Sequence, residues 1–183
     1  MRRGRFIAVV GPSGVGKDSV MAALAEARAD LFLARRAITR PSEAGGEDFD
    51  GIDEDTFLRL EAEGAFALSW AAHGLRYGIP IAVDMALAEG RDVLANLSRA
   101  VLTEAKLRFD RFGVLSLTAA PEVLAARLRG RGRESEAEIT ARLARAERDL
   151  PDHIAAIEID NYGPLTQTVA QALAALYPER AAR

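Results

Sequence analysis

The chain has 183 residues, 49% of them hydrophobic and 28% charged, with a formal net charge of −3. This is the profile of one ordinary globular domain rather than a disordered or fibrous chain. So slight a negative charge gives no ground for a coat on nucleic acid, and no apolar run approaches the roughly 20 residues of a membrane span. Small-molecule partners are therefore expected, with neither nucleic acid nor membrane. Cysteine is missing, which removes disulfides and thiolate metal sites and suits a cytoplasmic location.

The first residues, Met1-Arg2-Arg3-Gly4-Arg5, are basic, but the apolar run behind them is too short for a secretion signal. That run, Phe6-Ile7-Ala8-Val9-Val10, reads as a buried strand over residues 5–10. Gly11-Pro12-Ser13-Gly14-Val15-Gly16-Lys17-Asp18-Ser19 follows, and the apolar stretch from Val20 makes a helix of about 16–28. Strand, glycine loop and helix in that order are a phosphate-binding P-loop. Its backbone N–H groups converge on phosphate, and the helix N-terminus adds partial positive charge. Lys17 reaches the transferring phosphate as a point charge. All nine residues are expected at the nucleotide.

Position 18 departs from the pattern, because Asp stands where Ser or Thr ordinarily ligates magnesium. Two readings are open. The Asp18 carboxylate takes or orients Mg²⁺, which often binds one or two carboxylates plus substrate phosphates. Alternatively, Asp18 is favoured by the helix dipole and Ser19 faces the metal.

Leu31 to Ile38 reads as a second strand, and Thr39-Arg40 sits at its end, where α/β sheets bind ligands. From Arg40 to about Gly51 the chain turns polar, with loop signals. A short amphipathic helix spans Glu54–Gly64, and a strand spans Phe66–Ala71, ended by His73-Gly74. Tyr77-Gly78-Ile79-Pro80 closes this polar insertion of about 40–78, with the Tyr77 hydroxyl placed to donate to a phosphate. His73 is expected to be structural or positioning, since a phosphate acceptor is already ionised and needs no base. Trp70 is expected in the core.

Pro80 opens a helix to about Glu89, stopped by Gly90. Asp92–Leu97 is a buried strand and Arg99–Arg108 a helix. The acidic metal anchor usual at such a strand end is missing, and Asn96 and Ser98 stand there instead. The sequence thus suggests that the carboxylate has moved into the P-loop. Arg99 lies at the same edge as a phosphate ligand.

Phe112–Leu117 is a further core strand, and Pro121 opens a helix over 121–129. Gly130-Arg131-Gly132-Arg133 interrupts it, and Glu136–Leu150 resumes as helix. This arginine-rich segment, about 129–136, looks like a lid, with Arg131 and Arg142 as the best candidates to neutralise developing charge. Ile154–Ile159 is the last strand and Pro164–Tyr177 the last helix. Among 24 basic residues, the two lysines are Lys17 and Lys106. The rest are arginines, whose planar fork suits phosphate.

Strands alternating with helices predict an α/β P-loop NTPase fold: a parallel five-stranded sheet with helices on both faces, plus a substrate-binding insertion and a lid. One domain is expected, with its core at 1–39 and 79–183.

The whole chain resembles the guanylate-kinase branch of the P-loop kinases. The likeness runs through the Gly-Pro-Ser-Gly-x-Gly-Lys of residues 11–17, Thr39-Arg40, Gly46-Glu47 and Tyr77-Gly78 to Arg131-Gly132 and Arg142-Leu143. Guanylate kinases are known for a second Arg after the Thr-Arg, a Glu that reads guanine, and a Ser or Thr after Tyr-Gly. The matching places here hold Glu43, Leu68 or Ser69, and Ile79, a set that should not select guanine.

The variant features are similar to the ribose 1,5-bisphosphate phosphokinases of phosphonate degradation. These features are Gly-Lys-Asp-Ser at 16–19, Ala-His-Gly-Leu-x-Tyr-Gly-Ile-Pro at 72–80 and Asn-Leu-Ser-Arg at 96–99. That resemblance implies ATP as co-substrate with Mg²⁺, ribose 1,5-bisphosphate as acceptor, and release of ADP and 5-phosphoribosyl 1-diphosphate. Arg40, Tyr77 and Arg99 would hold the acceptor. A nucleoside monophosphate kinase and a non-catalytic guanylate-kinase-like binding module are the rival readings. The oligomeric state, a homodimer included, is left open.

Overall fold

All five residues of β1 (Phe6–Val10) are buried, and their alternation divides the interior in two. Phe6, Ala8 and Val10 join one apolar cluster, while Ile7 and Val9 join another. A strand buried on both faces is the signature of a parallel sheet covered by helices on each side. The computed structural model describes residues 3–42, 48–132, 135–146 and 150–178, without the side chains of Arg131, Arg142, Arg145 and Ala146.

After β1 come α1 (Lys17–Ala27), β2 (Phe32–Leu33), β3 (Ala37–Ile38), β4 (Asp50–Gly51), α2 (Glu54–Ala62), β5 (Phe66–Ala72), β6 (Leu75–Pro80) and α3 (Ala82–Ala88). The second half holds β7 (Val93–Asn96), α4 (Leu102–Arg108), β8 (Phe112–Thr118), α5 (Pro121–Arg131), α6 (Glu136–Ala146), β9 (Ile157–Asp160) and α7 (Leu165–Leu176). The core sheet has five strands in the order β2-β7-β1-β8-β9, with parallel pairing throughout. α1 and α7 cover the Ile7 face through Val20, Leu24, Ala172 and Leu176. α3 and α4 cover the Phe6 face through Val83, Leu87 and Leu102. The parallel five-stranded P-loop sheet with helices on both faces is thus the architecture found.

A second sheet of four strands, ordered β4-β3-β6-β5, stands beside the first. β5 and β6 form a hairpin whose turn is His73-Gly74, with φ 54° and 74°. Two consecutive residues at positive φ make the turn type whose twist matches the strands. Exposed His73 is a turn residue. Leu68 and Ile79 pair across the hairpin, as do Trp70 and Tyr77. Leu68 and Ile79 pack into the core, with Trp70 against them. On the opposite face, α2 is fastened by Ser69 Oγ to Glu61 (2.5 Å) and by Arg76 Nε to Glu54 (3.1 Å). Asp53 caps α2 by accepting from the Thr56 backbone N–H at 2.7 Å. That bond holds its carboxyl below the usual range.

Four sequence expectations are corrected. Residues 31–38 are two short strands in different sheets: Phe32–Leu33 pairs with β7, whereas Ala37–Ile38 pairs with β6. The apolar residues on both sides of Arg35-Arg36 read as one run because each side is buried, in a different layer. Pro80 ends a strand, and the following helix begins at Ala82. Gly78 and Pro80 masked that strand, since both are poor strand residues. Arg99–Val101 is a 3₁₀ turn preceding α4 rather than its first turn. α5 continues through Gly130 to Arg131, and Gly132 at φ 62° provides its C-cap, the usual role of glycine at that place. α6 then opens on a capping box: Ser135 N donates to Glu138 at 2.7 Å, and Glu138 N donates to Ser135 Oγ at 3.3 Å.

Candidate active site

The carboxyl ends of the parallel strands meet at one edge, where open α/β sheets bind ligands. There β1 runs into the P-loop. Gly14 and Gly16 lie at φ 85° and 96°, a left-handed region that costs a side-chain residue dearly. A Cβ on Gly16 would also sit 2.9 Å from Asn161 Nδ2. The loop is folded on itself, with Val15 N donating to the Pro12 carbonyl at 3.2 Å. Lys17 Nζ donates to the carbonyls of Gly11 (3.0 Å) and Pro12 (3.3 Å). Ser13 and Ser19 are exposed beside it.

Asp18 stands in the first turn of α1 and accepts from Asn96 Nδ2 at 3.1 Å. Asn96, the last residue of β7, is buried. The structure therefore brings the unusual P-loop residue and the acid-less strand end into direct contact. Ser98 caps the 3₁₀ turn through the Ala100 N–H at 3.3 Å, and Arg99 follows, half-buried at the same edge. Oxygen donors at a P-loop suit a hard cation shared with phosphates. Among the described residues no group of three or more His, Cys, Asp or Glu could hold a metal. An all-protein cage is thus not on offer there, whereas a single carboxylate suits Mg²⁺ that is also bound by nucleotide phosphates.

Of the acceptor candidates, Tyr77 lies on β6 of the second sheet and Arg40 just past β3, whereas Arg99 lies at the β7 edge of the core sheet. Tyr77 pairs with Ile38, and its ring stacks on Trp70 at 5.3 Å with 8° between planes. Gly78 beside it has no room for a Cβ, which would meet the Phe66 ring at 2.6 Å. Arg40 leaves β3 with its guanidinium 4.3 Å from the Phe49 ring centroid. Of the places expected to read a base, Leu68 and Ile79 are buried in the core, and Ser69 faces α2. Glu43 and Gly46-Glu47 lie outside the described residues. Arg131 ends α5 and Arg142 lies within α6, but their side chains, like residues 133–134 of the arginine-rich segment, are outside those described.

Three residues of this region escaped the sequence reading. Asn161, just past β9, donates from Nδ2 to the Val15 carbonyl at 2.7 Å and accepts from Thr168 Oγ1 at 2.7 Å. Arg127 on α5 forks across to the Val15 carbonyl (3.1 Å) and the Asn161 carbonyl (2.7 Å). Both thereby hold the P-loop from outside. A polar residue at the end of a core strand was a usable signal for Asn161, as it was for Asn96. Arg127 gave none, being one helical arginine among many. Arg36, read as strand, is buried and donates from Nη1 to the Asn96 carbonyl at 3.0 Å.

No family model matches the chain. It is 53% identical over 180 residues to a ribose 1,5-bisphosphate phosphokinase PhnN of a Ruegeria species, covering 98% of this chain and 95% of that protein. It is 47% identical to the PhnN of a Chelativorans species, covering 96% and 86%. Among solved structures, a guanylate kinase from Anaplasma phagocytophilum superposes with a TM-score of 0.67 at 18% identity, over 100% of this chain and 89% of the other. A gluconokinase from Sinorhizobium meliloti gives 0.57 at 21% identity, covering 96% and 93%. At that distance the superpositions speak for the fold alone; that the chain is a kinase with a nucleotide co-substrate rests on the sequence relatives. By the sequence relatives, the chain belongs to the ribose 1,5-bisphosphate phosphokinase PhnN family.

Proposed function

We propose that this chain transfers the γ-phosphoryl group of ATP to the 1-phosphate oxygen of ribose 1,5-bisphosphate in the cytoplasm. The products are ADP and 5-phosphoribosyl 1-diphosphate. The observation that carries the proposal is the 53% identity to a PhnN kinase along 98% of the chain, joined to a P-loop that keeps its glycines and Lys17.

The 1-phosphate oxygen attacks phosphorus as the bond to the ADP oxygen breaks, so positioning and charge neutralisation are the protein's whole task. The P-loop N–H groups and Lys17 hold the phosphates. Asp18, steadied by Asn96, holds the metal's share of the site. Bound Mg²⁺ would supply neutralisation of charge on the transferring phosphates. Arg40, Tyr77 and Arg99 bind the acceptor's phosphates from the second sheet and the β7 edge. Arg131 and Arg142, from α5 and α6, close over the triphosphate as a lid and exclude water. Apolar Leu68 and Ile79 offer a purine acceptor no hydrogen bonds, which favours a sugar phosphate. The 40–78 insertion acts as the acceptor platform.

The test is coupled ADP release with ribose 1,5-bisphosphate and GMP compared side by side. Faster turnover of the sugar bisphosphate is expected. Faster turnover of GMP would make the chain a nucleotide kinase, and failure to bind ATP in calorimetry would make it a binding module.

A further inference from the structure

Arg36 is the one charged residue in the buried set among the described residues. A buried guanidinium is costly unless fixed acceptors and aromatic faces surround it. Its surroundings join two layers of the protein. The Arg36 carbonyl accepts from Asp50 N at 2.8 Å, which places the residue at the start of the second sheet. Its guanidinium lies 5.2 Å from the Tyr77 ring centroid and 6.0 Å from that of Trp70. From there Nη1 crosses to the core sheet and donates to the Asn96 carbonyl at 3.0 Å. Asn96 carries the contact onward, its Nδ2 donating to Asp18 at 3.1 Å.

We infer that Arg36 is a positioning residue that fixes Asp18 through Asn96 and sets the acceptor sheet in register with the P-loop. The Arg36 guanidinium holds the last carbonyl of β7 through Nη1, so the Asn96 side chain is aimed at Asp18 from a fixed backbone. The same planar group lies against the Tyr77–Trp70 stack, so tilting the second sheet displaces the grip. Lysine serves the two contacts less well, because its ammonium is a point donor without a planar group that lies on a ring while donating in its own plane. This inference rests on the reading of Asp18 as the metal-holding carboxylate.

The test needs no acceptor. ADP affinity is measured by calorimetry with and without Mg²⁺ for the natural protein and for Arg36→Met, Arg36→Lys and Asp18→Asn. Mg²⁺ is expected to tighten ADP binding in the natural protein. Both Arg36 variants should lose most of that tightening, roughly tenfold for an outer partner of a metal-holding residue. Their ADP affinity without metal should stay within about twofold, since the P-loop contacts are untouched. Asp18→Asn should lose the tightening fully, and adding Arg36→Met to it should cost nothing more.

Loss in Asp18→Asn with full tightening in the Arg36 variants overturns the role of Arg36 alone. A fall in metal-free affinity equal to the fall with metal also overturns it, by showing general damage. Full tightening in Asp18→Asn overturns the metal reading itself. If Arg36→Met does not fold, Arg36→Lys decides, because it keeps the charge and the stem.

Discussion

Asn161 Nδ2 donates to the Val15 carbonyl at 2.7 Å, so the residue after the last strand holds the middle of the P-loop. The same side chain accepts from Thr168 at the start of α7. Truncating it leaves the buried Thr168 hydroxyl without its acceptor, at about 1–3 kcal/mol, while the Val15 carbonyl keeps only its bond from Arg127. Asn161→Ala is therefore expected to lower Tm by several degrees and to weaken ADP binding in step. Thermal unfolding with and without ADP separates the two effects. Asn161→Asp should weaken ADP binding further, because a carboxylate would face the Val15 carbonyl without a proton to give.

Two glycines should respond in opposite senses to alanine. Gly16 sits at φ 96° with Asn161 Nδ2 2.9 Å from where a Cβ would stand. Gly16→Ala should abolish measurable ADP binding. Gly130 lies inside α5 with nothing within 4 Å of its would-be Cβ. Gly130→Ala should raise stability by about 0.5–1 kcal/mol, the helical cost of glycine, with ADP affinity unchanged.

Asp18 and Asn96 are in contact but have unequal parts. Asp18→Ala removes the carboxylate itself, whereas Asn96→Ala removes only its steadying donor. The Mg²⁺ concentration needed for half-maximal turnover should rise far more in Asp18→Ala than in Asn96→Ala. Equal small shifts would take the metal away from Asp18.

A charged cluster at the opposite edge of the sheet contributes to the pH dependence of stability. Asp92 accepts from Arg5 N (2.6 Å), from Arg5 Nε and Nη2 (3.0 and 2.8 Å) and from the Tyr177 hydroxyl (2.9 Å). Burial raises the Asp92 pKa, but these hydrogen bonds together outweigh it and hold the carboxyl below its usual range. Burial, then the bond to Asp92, pushes Tyr177 up to about 12.

The folded chain therefore keeps the Tyr177 proton over a window in which the unfolded chain has lost it. Stability from this group is full below about pH 10 and falls as pH rises toward 12. For Asp92 the sign reverses: its contribution is present above the ordinary carboxylate range and is lost on acidification below about pH 4. Tyr177→Phe should flatten the alkaline limb of a Tm–pH curve, and Asp92→Asn the acid limb.

Contiguous signals were legible in the sequence. The P-loop, the core strands at 6–10, 93–96 and 112–118, and the acid-less end at Asn96 all declare themselves within a few residues. What stayed hidden depends on residues far apart in the chain. Asn161 meets Val15 across 146 positions, and Arg36 meets Asn96 across 60. Of the second sheet, only β5 was read as a strand of its own: two-residue β3 was merged with β2 into one strand over 31–38, two-residue β4 was read as loop, and Gly78 and Pro80 masked β6. Strands that short carry no periodicity of their own and exist through their neighbours.

The scarcity of lysine turns the phosphate loop into its own reporter. Reductive ¹³C-methylation would label the side-chain amines of Lys17 and Lys106 together with the terminal amine. Lys106 is held at the surface by the His153 carbonyl at 2.8 Å, which makes its resonance an internal standard. Lys17 rests on the Gly11 and Pro12 carbonyls. Arrival of a phosphate would exchange those neutral partners for an anionic one and move that methyl signal alone. Two assigned NMR peaks could thus follow nucleotide occupancy through a whole titration.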